Sequence, residues 1–140
     1  MSLTVDDLRL AHGHVTRGII GAFYDVYNEL GYGFSESVYA NAFSIAAANR
    51  QLQFEREVPI RVVYCGETVG IFRADFVVER KVVVELKAVE RILAGHENQL
   101  LNYLRASSLT VGLILNFGPK ATKRRMIWTG GRADISDANG

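Results

Sequence analysis

The segment Lys81-Val82-Val83-Val84-Glu85-Leu86-Lys87-Ala88-Val89 places a carboxylate and an ammonium two residues apart in an otherwise apolar run. If the run is a strand, Val83, Glu85 and Lys87 share one face and Val82, Val84 and Leu86 the other, with Glu85 and Lys87 roughly 6.6–7 Å apart along the chain. Charges at such a place are expensive to bury unless they pair or bind something. Taken alone, the tripeptide reads as a salt-bridged strand end. Asp75, ten residues upstream, changes that reading. The stretch from Phe72 to Lys87 has the pattern of a β-hairpin turning at Glu79-Arg80-Lys81. A three-residue loop pairs Val78 with Val82 and sets Asp75 opposite Glu85, where Cβ atoms stand about 4.5–5.5 Å apart. A two-residue loop would pair Asp75 with Val84 and send the two acids to opposite faces. Two carboxylates that close repel unless a cation lies between them. Oxygen donors with room for water suit Mg²⁺ or Mn²⁺. A lysine beside such a site orients a water or steadies charge on a phosphate, so the chemistry implied is metal-assisted phosphodiester hydrolysis.

The elements that must hold these residues are legible from periodicity. Val5, Leu8, His12, Val15, Ile19, Phe23, Val26 and Leu30 recur at helical spacing and predict a first helix over 5–30, with Thr4, Asp6 and Asp7 at a capped start and Gly31 and Gly33 as stop signals. His12 and His14 point to different faces of it and read as surface or boundary residues. A second helix is predicted from Ser35 to about Arg50, with Glu36 in its first turn and Tyr39, Phe43 and Ala47 on the same face as Glu36. The period then changes to two. Strands are predicted at 58–64, 68–78 and 82–87, a helix at 97–106 with Leu100, Leu101 and Leu104 as its apolar side, a strand with Val111, Leu113 and Leu115 on one face that is bounded by Gly118-Pro119, and a last strand at 125–128. This order describes an α/β layered domain with a mixed sheet. The tail GGRADISDANG has nothing to pack and is expected to be disordered, so the domain is taken as residues 1–128 and the tail as 129–140.

Composition limits the classes. The chain has 140 residues, 49% hydrophobic and 22% charged, which suits one globular domain. No apolar run reaches the roughly 20 residues of a membrane helix, the N-terminus does not read as a secretory signal, and the single cysteine, Cys65, excludes an internal disulfide framework; a cytoplasmic protein without a membrane partner is expected. The net charge of +1 conceals a first 60 residues with seven acids and four bases and a remainder with eight acids and twelve bases. Bulk electrostatics therefore permits a nucleic-acid partner without demanding one. Lys120, Lys123, Arg124 and Arg125 are the best phosphate-tracking cluster, with a solvated strand flank as the ordinary reading. No aromatic residues interleave with them, which argues against a single-strand stacking platform there. Arg73 and Lys81 read as sheet-edge charges.

Four motifs in order resemble a known family. Asp75 followed by Glu85-Leu86-Lys87 looks like the D-(x)n-E-x-K core of the PD-(D/E)XK nuclease superfamily, with Ala74 where the superfamily name has proline. Gly33-Phe34-Ser35-Glu36-Ser37-Val38-Tyr39 resembles the motif that names the GxxExxY branch. His96 to Leu104 is similar to that branch's H-x-x-Q-x-x-x-Y-L helix, and Gly112 to Gly118 to its G-hydrophobic-NFG strand. The resemblance spans about residues 5–128. It implies a restriction-endonuclease-like α-β-β-β-α-β core, a mixed central sheet flanked by helices, and Mg²⁺ or Mn²⁺ as cofactor. By the same resemblance Asp75, Glu85 and the Leu86 carbonyl hold the metal, Glu36 joins directly or through water, and Lys87 positions or helps to deprotonate the attacking water. Gln99 and Tyr103 support the site or contact phosphate. Read without the resemblance, Glu36 is a first-turn complement to the helix dipole, Gln99 and Tyr103 are an i to i+4 surface pair, and His96 is either a phosphate contact or a solvated helix start. The partner implied is nucleic acid, DNA or RNA, with a homodimer as a candidate assembly. The alternative is a non-catalytic module on a nuclease fold that binds nucleic acid or protein.

Overall fold

In the computed structural model, which describes residues 5–130 and 133–136, helices cover both faces of one six-stranded sheet. The elements are α1 (Val5–Leu30), α2 (Glu36–Asn49), β1 (Phe54–Tyr64), β2 (Glu67–Val78), β3 (Val82–Lys87), α3 (Ala94–Ala106), β4 (Val111–Phe117), β5 (Ala121–Trp128) and β6 (Ala133–Ser136). The strands lie in chain order. Only β3 and β4 run parallel, and α3 makes the crossover between them. The α/β class and the mixed sheet agree with the expectation, and β3 has its predicted bounds. Thr4 and its capping role lie outside the described residues.

Three differences have local causes. α3 begins at Ala94 because the His96 imidazole turns back and its Nδ1 accepts the Leu93 N–H at 2.9 Å. β1 and β5 each start four residues before the alternation becomes visible, since their first residues are mainly polar and their pairing comes from β2 and β4. Part of the tail expected to be disordered is paired: Ala133–Ser136 runs antiparallel to β5. Residues 131–132 and 137–140 of that tail lie outside the described residues.

The sheet separates two cores. On one face α1 and α2 contribute Val15, Ile19, Phe23, Val26, Tyr39 and Phe43, packed on Val82, Val84, Leu86 and the odd-numbered residues of β4. On the other, α3 contributes Leu100, Tyr103 and Leu104 against Val83, Ile114 and Met126. Gly112 lets α3 approach, because a Cβ there would lie 2.9 Å from the Leu100 side chain. Among the described residues no helix is long and apolar enough to cross a membrane.

Candidate active site

The hairpin of β2 and β3 meets the condition that the sequence set. Val78 pairs with Val82, Val77 with Val83 and Phe76 with Val84, the register of the three-residue loop. The backbone ladder stops there, and Asp75 and Glu85 come next. Two backbone N–H groups here are satisfied by the acid side chains across the hairpin. The Asp75 N–H donates to Glu85 Oε1 at 3.3 Å, and the Leu86 N–H donates to Asp75 Oδ2 at 2.7 Å. These two bonds replace ladder bonds that buried peptides would otherwise lack.

The opening of the ladder continues into β1. Pairing passes from Arg56–Phe76 to Val58–Ala74, with no pair between Glu57 and Asp75, and Glu57 has φ 51°. The even-numbered residues of the hairpin change face at this point. Phe54, Phe76 and Val78 pack in the α1/α2 core, whereas Val58, Ile60, Phe72 and Ala74 pack in the α3 core. Simple alternation along β2 would keep Ala74 and Phe76 together. The crossing leaves Asp75 between the two cores, half-buried and turned toward β3.

A cavity of about 170 Å³ opens beside Asp75 and is lined by Glu36, Ala40, Arg56, Glu57, Asp75 and Leu86, among others. It brings the helical acid Glu36, exposed in the first turn of α2, to the same opening as Asp75 and Leu86. Glu57 is a further carboxylate there that the sequence did not single out, because nothing in Phe54–Tyr64 marks the turn of backbone that puts it opposite Asp75. Glu85 sits deeper, 5% exposed. Burial pushes its carboxyl up to about 9, the Asp75 carboxylate adds to the rise, and Lys87 opposes it. Lys87 is half-buried and, among the described residues, has no hydrogen-bond or ion-pair partner of its own.

From the other side α3 presents the pair predicted one helical turn apart. Gln99 Nε2 donates to the Tyr103 hydroxyl at 3.2 Å. Burial, with Glu85 and Asp75 nearby, pushes that hydroxyl up to about 12. The Tyr103 hydroxyl is thus near enough to both acids to feel their charge, and Gln99 is bonded to that hydroxyl. His96 is a helix cap, as its bond to Leu93 shows. The cluster at 120–125 does not form one patch. Lys123 turns to the Tyr24 hydroxyl on the α1 face at 3.1 Å, and Arg124 to Glu97 on the α3 face at 3.9 Å.

The other two motifs fasten this arrangement. Tyr39, fully buried, donates its hydroxyl to the Gly31 carbonyl at 2.7 Å, accepts the Phe34 N–H, and stacks on Phe117 at 4.2 Å. It thus fixes the loop that leads into Glu36. Asn116, also fully buried, accepts the Val89 N–H and donates to the Val89 carbonyl and to Thr122. That clamp holds the chain two residues beyond Lys87. Gly118 must be glycine for it, since a Cβ would meet the Val89 carbonyl.

The model of the PD-(D/E)XK nuclease superfamily matches residues 13–127. The chain belongs to that superfamily. Comparison with curated proteins and with solved structures returned no match. Nucleases of the PD-(D/E)XK superfamily usually use divalent metals, and the donor set here fits one: Asp75, Glu85 and the nearby Glu36 offer only hard oxygen ligands. The proton that Glu85 keeps is what two adjacent carboxylates do when no cation compensates them. Among the described residues no group of three or more His, Cys, Asp or Glu side chains already converges on one point.

Proposed function

We propose that the protein hydrolyses phosphodiester bonds of nucleic acid with Mg²⁺ or Mn²⁺, and that it belongs to the GxxExxY branch of its superfamily. The observation that carries this is the Asp75–Glu85 pair, joined through backbone bonds where the ladder opens and leading along one strand to Lys87. Asp75, Glu85 and the Leu86 carbonyl hold the metal, with Glu36 reaching it directly or through water across the cavity. A cation held by these residues would neutralise the carboxylates and supply positive charge to offset that building on the phosphoryl oxygens.

In hydrolysis the water oxygen bonds to phosphorus, and the bridging ester oxygen leaves with the bond's electron pair and takes a proton. Lys87 positions the attacking water and steadies the added negative charge. Gln99 fixes the Tyr103 hydroxyl, which stays protonated well above neutral pH and so remains a donor toward the acids or the phosphate.

The test combines binding and turnover. Calorimetric titration of Mn²⁺ should give heat with the wild type and with Lys87→Ala, and none with Asp75→Asn combined with Glu85→Gln. Cleavage of labelled DNA and RNA should fall about 10²–10⁴-fold in Lys87→Ala. Metal binding in the wild type without any turnover would replace the nuclease with a binding module on the same fold.

A further inference from the structure

A second concavity lies beside the acids rather than among them. It is a groove of about 490 Å³ between the far end of the β1–β2 hairpin and the outer side of α3, lined chiefly by Arg61, Val62, Val63, Phe72, Asn102 and Arg105. It adjoins the candidate active site through Phe72, whose ring meets Tyr103 edge to face at 5.3 Å between centroids. Phe72 is three residues along β2 from Asp75, roughly 10 Å at about 3.3 Å per residue. Asn102 and Arg105 follow Gln99 along α3 by about one and two turns.

The groove has an unusual charge. Two guanidinium groups line it and no carboxylate does. Arg61 has no hydrogen-bond or ion-pair partner among the described residues, and Arg105 engages only the Trp128 ring, at 5.5 Å. Like charges gathered without a counter-ion are unfavourable, and planar guanidiniums match phosphate oxygens in pairs. The remaining walls are an aromatic ring, two valines, an alanine and one amide. A cationic groove with an aromatic wall suits an unpaired nucleotide, whose phosphate and base are both accessible. A duplex would offer phosphates to the arginines but no base to the concave wall.

We propose that this groove binds the nucleotide flanking the scissile phosphate of a single-stranded substrate, with Arg61 and Arg105 on the phosphate and Phe72 and the valines against the base. The proposal rests on the nuclease reading for the word scissile; the binding itself does not require turnover. Arg61, Phe72 and Arg105 come from three elements, which is why no run of the sequence displays the platform.

The experiment measures anisotropy of labelled single-stranded DNA, single-stranded RNA and duplex DNA in EDTA, with wild type and with Arg61→Ala combined with Arg105→Ala. Both arginines are exposed, and a melting curve verifies that the variant is folded. Wild type should bind at least one single strand more tightly than duplex, and the two single-stranded arms identify the sugar. The variant should lose at least tenfold, and its salt dependence should shallow by about 1.4, two contacts at about 0.7 each. Equal or tighter duplex binding, absence of single-strand binding, or a folded variant that binds like wild type would each overturn the proposal. Asp75→Asn, run alongside with Mg²⁺ restored, separates the two readings: loss of cleavage with binding retained supports the metal site whatever the groove does.

Discussion

Glu85 is buried beside Asp75 and close enough to Tyr103 to raise its hydroxyl, so its own carboxyl is held at about 9 against an ordinary 4.5. Between those values the unfolded chain has released the proton and the native metal-free chain keeps it. The native state binds more protons, and stability must fall as pH rises across that window, levelling below 4.5 and above 9. Glu85→Gln removes the titrating group while keeping its shape. Without metal, the variant should match wild type near pH 4.5 and exceed it by several kcal/mol at pH 8, at about 1.4 kcal/mol for each pH unit across the window. Urea midpoints at the two pH values measure this. A wild type equally stable at both would mean that Glu85 ionises freely, and that the acid pair is not strained without a cation. Burying Glu85 thus opposes the fold at neutral pH.

At the scale of elements, the turn of the β2–β3 hairpin decides whether the acids face each other at all. Glu79 and Arg80 both adopt left-handed backbone, at φ 53° and 56°, and the Lys81 N–H closes on the Val78 carbonyl at 3.0 Å. Glu79 has a compensating role, since its carboxylate accepts the Gln53 N–H. Among the described residues no hydrogen bond or ion pair gives Arg80 one. The left-handed region costs a residue with a Cβ about 1–2 kcal/mol, and glycine gives back about 0.5–1 kcal/mol in chain entropy. Arg80→Gly should therefore stabilise by about 0.5–1 kcal/mol, seen as a higher urea midpoint with an unchanged slope. The register of this hairpin was legible only as a choice between two loop lengths, of which the three-residue loop aligns Asp75 with Glu85, and the structure takes that one. The bend in β1 was not, because a glutamate at φ 51° carries no mark in the sequence. Nor were the roles of Tyr39 and Asn116. Their motifs were visible, but their work is to bond loops distant in sequence, at Gly31 and Val89, which only the packed fold brings near. Glu36 was named for its motif, and its place beside Asp75 depends on the packing of α2 against the sheet.

For the whole molecule, the site lies where the two cores meet. Leu86 and Phe76 belong to the α1/α2 core, and Val83 and Tyr103 to the α3 core, with Asp75 and Glu85 between them. A cation held there ties the two halves together and must stabilise the domain as a unit. At a hundred times its dissociation constant the gain is about 2.7 kcal/mol, or roughly 8 °C in Tm for a chain of this size. The gain must also depend on pH, in the direction opposite to that of the metal-free protein. Below 9 the cation displaces the Glu85 proton, so at fixed Mn²⁺ its apparent affinity rises up to about tenfold per pH unit. The Tm shift caused by Mn²⁺ should therefore grow between pH 6 and pH 8, offsetting the loss that Glu85 causes without metal. Calorimetry in two buffers of different ionisation heat should register about one proton released per ion. In Glu85→Gln both the shift and the proton release should vanish. A shift of the same size at every pH, with no proton released, would place the cation on Asp75 and Glu36 without Glu85, and the third-strand acid would then have no part in holding it.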